Sequence, residues 1–158
     1  MELRRFAAEA AGVVSGWAVA PVETAMWCGY AGAPVPAEKV AAWGGEDGVR
    51  AFGLYDGEAL VAYGELWVDD EEAEVELARL IVAPAMRRQG LGRELVRGLT
   101  ALALRAYPDV FMRVHPDNAA ALGCYLGADF VPVDPELAAE WNAPQPVAYA
   151  WLRYSNRG

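Results

Sequence analysis

The sequence predicts a single domain of the mixed α/β (α+β) class over residues 1–158, and three observations support it. First, two strand-like segments flank Asp56-Gly57, a strong signal for a two-residue hairpin and therefore for antiparallel pairing. Second, a long amphipathic segment separates two apolar runs, which predicts parallel strands joined by a right-handed helical crossover. Third, no linker or repeat divides the chain.

The first half of the chain is expected to combine short helices with an antiparallel meander. A strand over 3–6 precedes a helix over 7–19, which Pro21 should end. A mainly irregular segment with helical turns follows, and a short helix over 38–43 ends at a Gly-Gly pair. The meander strands are predicted at 49–54, 59–68 and 74–82.

The second half supplies the crossover. A helix over 89–107 carries leucines on one face, and a strand over 110–114 follows it. Asp117 or Asn118 should then cap a short helix over 119–126. The chain is expected to end with a strand pair, 130–133 and 147–154, around a Pro-rich loop that contains Trp141.

Composition excludes several classes of protein. The formal net charge of -9 argues against a nucleic-acid partner and suits a cationic small molecule. Two cysteines, Cys28 and Cys124, and one histidine offer no metal spacing, so we expect no metal. A weak signal-peptide-like run ending at Ala20 is interrupted by Glu9, and no segment is long enough to span a membrane. We therefore expect a cytoplasmic protein with reduced thiols.

The most informative stretch is a glycine-rich basic loop between the third meander strand and the long helix. Its glycines let the backbone approach a ligand, and a helix N-terminus points unpaired N–H groups at an anion. Neither the P-loop pattern nor the dinucleotide-binding glycine pattern occurs, and a plain turn is the alternative interpretation. The predicted phosphate-binding residues are Arg87, Arg88, Gln89, Gly90, Leu91, Gly92 and Arg93.

The pattern Arg/Gln-x-x-Gly-x-Gly in a strand-loop-helix setting resembles the acyl-CoA-binding signature of the GNAT superfamily of N-acetyltransferases. The segment Asp-Asn-x-x-Ala-x-x-x-Tyr ending at Tyr125 resembles a second pattern of that family, in which the Asn holds the pantetheine arm and the Tyr lies beside the thioester sulfur. The resemblance covers most of the chain. It implies acetyl-CoA as co-substrate, a mostly antiparallel sheet with a central parallel pair splayed at the cofactor site, and helices on both faces.

The short helix places Asn118 and Tyr125 seven residues apart, and therefore on one face. A Tyr hydroxyl of pKa ~10 can protonate a departing thiolate, so Tyr125 is the expected general acid. An N-cap and a core aromatic are the alternative roles of this pair. Cys124 points elsewhere on the helix and is expected to pack, and no nucleophile-containing triad is evident.

The strand before the loop loses its two-residue alternation over 78–82, which indicates either burial on both faces or a bulge. By resemblance to the family this strand bulges, Leu80 and Val82 bind the pantetheine, and Ile81 polarises the thioester carbonyl. The resemblance also places Glu76 where some members have a catalytic glutamate.

Other groups compete for the role of base. Glu74 shares a strand face with Glu76, Glu65 lies on the preceding strand, and His115 ends the central parallel strand. A solvated acidic hairpin explains the carboxylates of this region equally well. Asp129 stands where the family usually has a glycine, and we expect the left-handed turn there to survive.

The resemblance implies an N-acetyltransferase that moves an acetyl group from acetyl-CoA to a primary amine by direct attack. The alternative is a non-catalytic acyl-CoA-binding or regulatory module on the same fold. Trp27 and Tyr30, in a segment rich in Gly and Pro, are the expected acceptor-binding residues. The acceptor is a small-molecule amine or a protein amine, no nucleic acid or membrane is expected to bind, and a homodimer is possible.

Overall fold

The computed structural model describes residues 1–155, which form a seven-stranded sheet, six α-helices and two 3-10 turns. The strands are β1 (Glu2–Arg5), β2 (Val49–Asp56), β3 (Ala59–Asp69), β4 (Glu74–Val82), β5 (Asp109–Val114), β6 (Phe130–Pro132) and β7 (Ala150–Tyr154). The α-helices are α1 (Ala11–Ser15), α2 (Pro21–Cys28), α3 (Ala37–Trp43), α4 (Leu91–Ala106), α5 (Ala119–Leu126) and α6 (Pro135–Asn142).

The sheet has the strand order β1-β2-β3-β4-β5-β7-β6, and every neighbouring pair is antiparallel except β4 and β5. The parallel pairing runs from Glu74 opposite Asp109 to Leu77 opposite Met112 and stops there, although both strands continue. The two strands therefore diverge, and the prediction of a mostly antiparallel sheet with a splayed parallel pair is confirmed.

A β-bulge explains the lost alternation in β4. Tyr63 pairs with Ile81 and Glu65 pairs with Ala78, so two residues of β4, Arg79 and Leu80, lie opposite one residue of β3. Arg79 has a φ of 51°, in the left-handed region. Of the two explanations that the sequence allowed, the bulge is therefore present.

Strand alternation sends side chains to two hydrophobic clusters, one on each face of the sheet. Leu66, Leu77 and Met112 pack with the buried leucines of α4 on one face. Tyr63 and Ile81 pack with residues of α1, α2 and α3 on the other. Helices therefore cover both faces, as predicted.

The predicted helix over 7–19 is wrong. The chain instead forms a 3-10 turn at Ala8–Ala10 and a five-residue α1, and Gly16 follows the last helical residue. Pro21 does not end a helix but begins α2, because a proline at the first helical position needs no N–H partner. The segment expected to be mainly irregular thus contains an eight-residue helix.

Other elements also differ from the predictions. The loop around Trp141 contains α6, which again has a proline at its first turn, and β7 begins at Ala150 rather than at residue 147. Helix α4 begins at Leu91, two residues later than expected, because Gly90 has a φ of 79° and serves as its N-cap. No helix within the described residues 1–155 is long and apolar enough to cross a bilayer.

Candidate active site

The divergence of β4 from β5 opens a groove of about 960 Å³ that runs from α2 to the N-terminus of α4 and along α5. A volume of this size is typical of small-molecule sites. Sequence-predicted residues that line it are Trp27, Glu76, Leu80, Ile81, Val82, Arg87, Arg88, Gly90, Leu91, Gly92, Arg93, Asn118 and Tyr125. Two predicted residues, Gln89 and Tyr30, are not among the lining residues.

The glycine-rich loop presents free backbone donors. Arg88 and Gly90 have φ angles of 65° and 79°, which turn the chain sharply into α4. Within the described part of the chain, no hydrogen bond is donated by the backbone N–H groups of residues 88–93. These donors lie at the positive end of a 16-residue helix, an arrangement that can accept an anion, and are here called the N–H cradle.

The arginines of the loop have different roles. The Arg87 guanidinium donates to the carbonyl of Val82 at 3.1 Å and to that of Trp17 at 3.5 Å, and it lies 3.7 Å from Glu23. Glu23 in turn accepts from the N–H groups of Val19 and Ala20, the two residues before α2. Arg87 therefore fastens the loop to the α1–α2 segment, and the guanidinium of Arg88, which is exposed, is better placed to contact an anion.

Arg93 lies against the turn that follows α5. A Cβ added at Gly127 would come within 2.5 Å of an Arg93 guanidinium nitrogen, so glycine lets that side chain cross the turn. The turn also contains Asp129, whose φ of 72° shows that the left-handed conformation expected there is kept.

Asn118 and Tyr125 lie at opposite ends of α5, and both line the groove. The Asn118 side-chain oxygen accepts from the Ala121 N–H at 3.2 Å, so Asn118 is the N-cap, and its amide NH₂ is left to donate elsewhere. The half-buried Tyr125 donates no hydrogen bond from its hydroxyl to any described residue. Burial, helped by the neighbouring Cys124, raises the pKa of Tyr125 and keeps its hydroxyl protonated.

Glu76 is buried in a bidentate ion pair that the sequence did not indicate. Arg113 of β5 donates from Nε to one Glu76 oxygen at 2.7 Å and from Nη2 to the other at 2.9 Å. The guanidinium also lies 4.7 Å from the Trp151 ring centroid and 5.4 Å from that of Tyr149. A lone arginine inside an apolar strand was the available sequence signal, since a cation at a half-buried strand position requires a partner.

A second buried carboxylate, Glu65 of β3, lies behind the bulge. It is fully buried and accepts from the Tyr63 hydroxyl, from the Trp67 indole at 2.8 Å and from Arg79 at 3.0 Å. Burial raises the pKa of Glu65. Neither Glu65 nor Glu74 lines the groove.

His115 lines the groove at the end of β5, and its ring nitrogens are distinguishable. Its Nδ1 accepts from the Asp117 N–H at 3.2 Å. In the neutral ring the proton must then reside on Nε2, which can donate a hydrogen bond but cannot accept a proton. This geometry disfavours His115 as a base.

Both cysteines line the groove and are free. Burial raises the pKa of Cys28 and of Cys124, so both are thiols rather than thiolates near neutral pH. Across the described residues 1–155, no group of three or more His, Cys, Asp or Glu side chains is placed to hold a metal ion.

Comparison with solved structures supports the fold. Aminoglycoside acetyltransferase AAC(6')-Ib, solved with paromomycin and acetyl-CoA, aligns with a TM-score of 0.75 and 15% identity over 98% of this chain and 92% of that chain. Spermidine N-acetyltransferase from Vibrio cholerae, solved with CoA and spermine, aligns with a TM-score of 0.72 and 15% identity over 96% and 92% of the two chains.

The GNAT domain of S. lividans PAT aligns with a TM-score of 0.75 and 14% identity, over 96% of this chain and 88% of that chain. No curated protein matches the sequence significantly. The model of the acetyltransferase (GNAT) family matches residues 22–130, well over half of the chain and including the loop, the bulged strand and α5. The chain therefore belongs to the GNAT acetyltransferase family.

Proposed function

We propose that this protein transfers an acetyl group from acetyl-CoA to a primary amine by direct attack. One observation carries the proposal: Arg88 and residues 90–93, whose N–H groups donate to no described residue, line the same groove as the Tyr125 hydroxyl, at the gap between β4 and β5. An anion cradle and a proton donor joined by a groove are what a nucleotide-bearing thioester requires.

The N–H cradle of the loop, with Arg88 and Arg93, binds the pyrophosphate of acetyl-CoA in this proposal. The Asn118 amide and the free edge of β4 beyond Leu77 hold the pantetheine arm, because no strand among the described residues pairs with that edge. Leu80 and Val82 bind the arm through their backbone, and the backbone at Ile81 polarises the thioester carbonyl. Fixing both reactants in one groove supplies much of the acceleration.

The reaction needs two proton transfers. The amine nitrogen bonds to the thioester carbon, the carbon–sulfur bond breaks, and Tyr125 gives its proton to the departing sulfur. Tyr125 suits this role because it lines the groove and its protonated hydroxyl donates to no other described residue, so it is available to the sulfur. The amine loses one proton, and Glu76 accepts it through a water molecule, since each carboxylate oxygen keeps a lone pair beyond its hydrogen bond to Arg113.

The acceptor in this proposal is a small-molecule amine, bound on the side of Trp27. The structural neighbours solved with paromomycin and with spermine support a small amine over a protein amine. The two free cysteines support a reducing compartment, the cytoplasm.

The test is acetyl-CoA-dependent thiol release against a panel of small amines and lysine peptides, using the wild type, Tyr125→Phe and Tyr107→Phe. Tyr107 is the matched control because its hydroxyl donates to Asp70 at 2.7 Å, outside the groove. We expect acceptor-dependent release, and kcat about 100-fold lower in Tyr125→Phe only.

Equal kcat in the wild type and Tyr125→Phe would remove Tyr125 as the acid. A second contrary outcome is that acetyl-CoA raises the melting temperature of the protein while no acceptor causes thiol release. That result would contradict the transferase and support a non-catalytic acyl-CoA-binding module.

A further inference from the structure

The bulge in β4 is held in a conformation that its sequence disfavours. Arg79 has a φ of 51°, a region that residues with a Cβ rarely occupy because the Cβ crowds the backbone. Such a conformation persists only where surrounding contacts over-determine it. The contacts of Arg79 therefore indicate what keeps the bulge in place.

Arg79 is held through both its backbone and its side chain. Its carbonyl accepts from the Trp27 indole at 2.8 Å, which joins the bulge to α2. Its guanidinium donates to Glu65 at 3.0 Å and to Glu46 at 3.1 Å. The same guanidinium lies 4.2 Å from the ring centroid of Trp43 and 4.9 Å from that of Trp67.

The anchor of this side chain is itself rigid. Glu65 is fully buried, and donors from Tyr63 and Trp67 fix the orientation of its carboxylate. Tyr63, Glu65 and Trp67 all lie on the segment of β3 that faces the bulge. The bulge is thus tied to its neighbouring strand by a buried polar network in which the Arg79 guanidinium is the link to β4.

We propose that Arg79 is a positioning residue for acetyl transfer: its side chain holds the bulge that aims the β4 backbone at the thioester. This inference rests on the proposed function. Arg79 and the three residues that follow it, Leu80 to Val82, all line the groove. The Trp27 indole donates to the Arg79 carbonyl. Arg79 therefore also fixes Trp27, and with it the side of the groove that binds the acceptor, relative to the thioester.

Arg79→Gly gives the sharpest test, because glycine accepts the left-handed conformation and removes only the side-chain anchor. The control is Arg4→Gly, since Arg4 makes an ion pair with Glu2 and lies 4.6 Å over the Tyr55 ring, yet does not line the groove. The readouts are kcat, the Kd of CoA, and the carbonyl stretching frequency of bound, isotopically labelled acetyl-CoA.

We expect Arg79→Gly to lower kcat by roughly 10- to 100-fold and to return the carbonyl frequency towards its value in water, because the polarising backbone is misplaced. The Kd of CoA should change by less than about threefold, since the loop that binds the pyrophosphate is separate from the bulge. Arg4→Gly should match the wild type in all three readouts.

A folded Arg79→Gly protein with wild-type kcat and carbonyl frequency would overturn the inference while leaving the proposed function intact. If Arg79→Gly does not fold, Glu65→Gln is measured instead, because it weakens the same anchor. We expect a smaller loss of kcat in Glu65→Gln. A wild-type kcat in a folded Glu65→Gln protein would overturn the inference. A wild-type protein that acetylates no amine would overturn both proposals.

Discussion

At the scale of single residues, Glu76 and Arg113 form the most consequential pair in the groove. Burying a charge is costly unless a partner compensates it, and here the two charges compensate each other in a bidentate geometry. Removing only Glu76 leaves Arg113 without its charged partner, although its Nη1 still donates to Gln145 at 3.2 Å. The side chains are 7% and 27% exposed, so water can reach Arg113 in part and moderate that penalty.

Glu76→Gln should therefore lower the free energy of unfolding by about 2 kcal/mol, measured by urea denaturation. The matched control is Glu2→Gln, which breaks the exposed pair with Arg4 and should leave the midpoint unchanged. If Glu76 also accepts the amine proton, kcat of the folded variant should fall. Unchanged stability in Glu76→Gln would show that the pair does not stabilise the fold.

The placement of some candidate residues in the groove could be predicted from the sequence. Tyr125, Asn118 and the loop residues were predicted because short spacing on one helix or loop places them together. The partner of Glu76 was not predicted, because Arg113 lies 37 positions away. Only the parallel pairing of β4 and β5 brings the two residues together. The left-handed Arg79 was equally invisible, since nothing local distinguishes it from an ordinary strand residue.

At the scale of elements, the N-terminus of α4 depends on its glycine N-cap. Gly90 has a φ of 79° and nothing lies within 4 Å of a Cβ added there, so Gly90→Ala introduces backbone strain without a clash. Gly57 in the β2–β3 hairpin has a φ of 60° and equally open surroundings, but it is remote from the groove. The two substitutions carry the same kind of strain and differ only in location.

Both alanine variants should lose roughly 1 kcal/mol of stability. Only Gly90→Ala should weaken CoA binding, by about five- to tenfold, because its loop must return to the strained conformation for its N–H groups to converge on the phosphates. Titration calorimetry with CoA measures this difference. Equal CoA affinity in the two variants would contradict the assignment of the loop as the phosphate cradle.

Strong periodicity made some elements predictable and weak periodicity hid others. The meander and α4 were found because their alternation and leucine spacing extend over many residues. Helices α2 and α6 were missed because their prolines suggested breaks, whereas each proline occupies a first-turn position where it favours a helix. The bulge was one of two explanations until the pairing of β3 with β4 distinguished them.

At the scale of the whole molecule, the fold carries a formal charge of -9 and keeps two carboxyls in unfavourable surroundings. Burial raises the pKa of Glu65 from its ordinary 4.5. Burial, followed by the charges of Asp69, Glu72, Asp109 and Glu76, raises the pKa of Glu74 in the same direction. The native state therefore binds protons at pH values at which the unfolded chain has already released them.

This linkage predicts that the free energy of unfolding rises as the pH falls from neutral towards 4.5, the ordinary value for both groups. The contribution is fully present below that value and is lost as the pH rises through the raised, native-state pKa. Urea midpoints at several pH values measure the slope, which Glu65→Gln and Glu74→Gln should each reduce. Added salt should reduce the contribution of Glu74 to this pH dependence more than that of Glu65. Glu74 faces solvent-exposed acidic side chains, whose charges salt screens, whereas Glu65 is buried. A stability that falls on mild acidification would mean that Arg79 stabilises the Glu65 carboxylate more than burial penalises it.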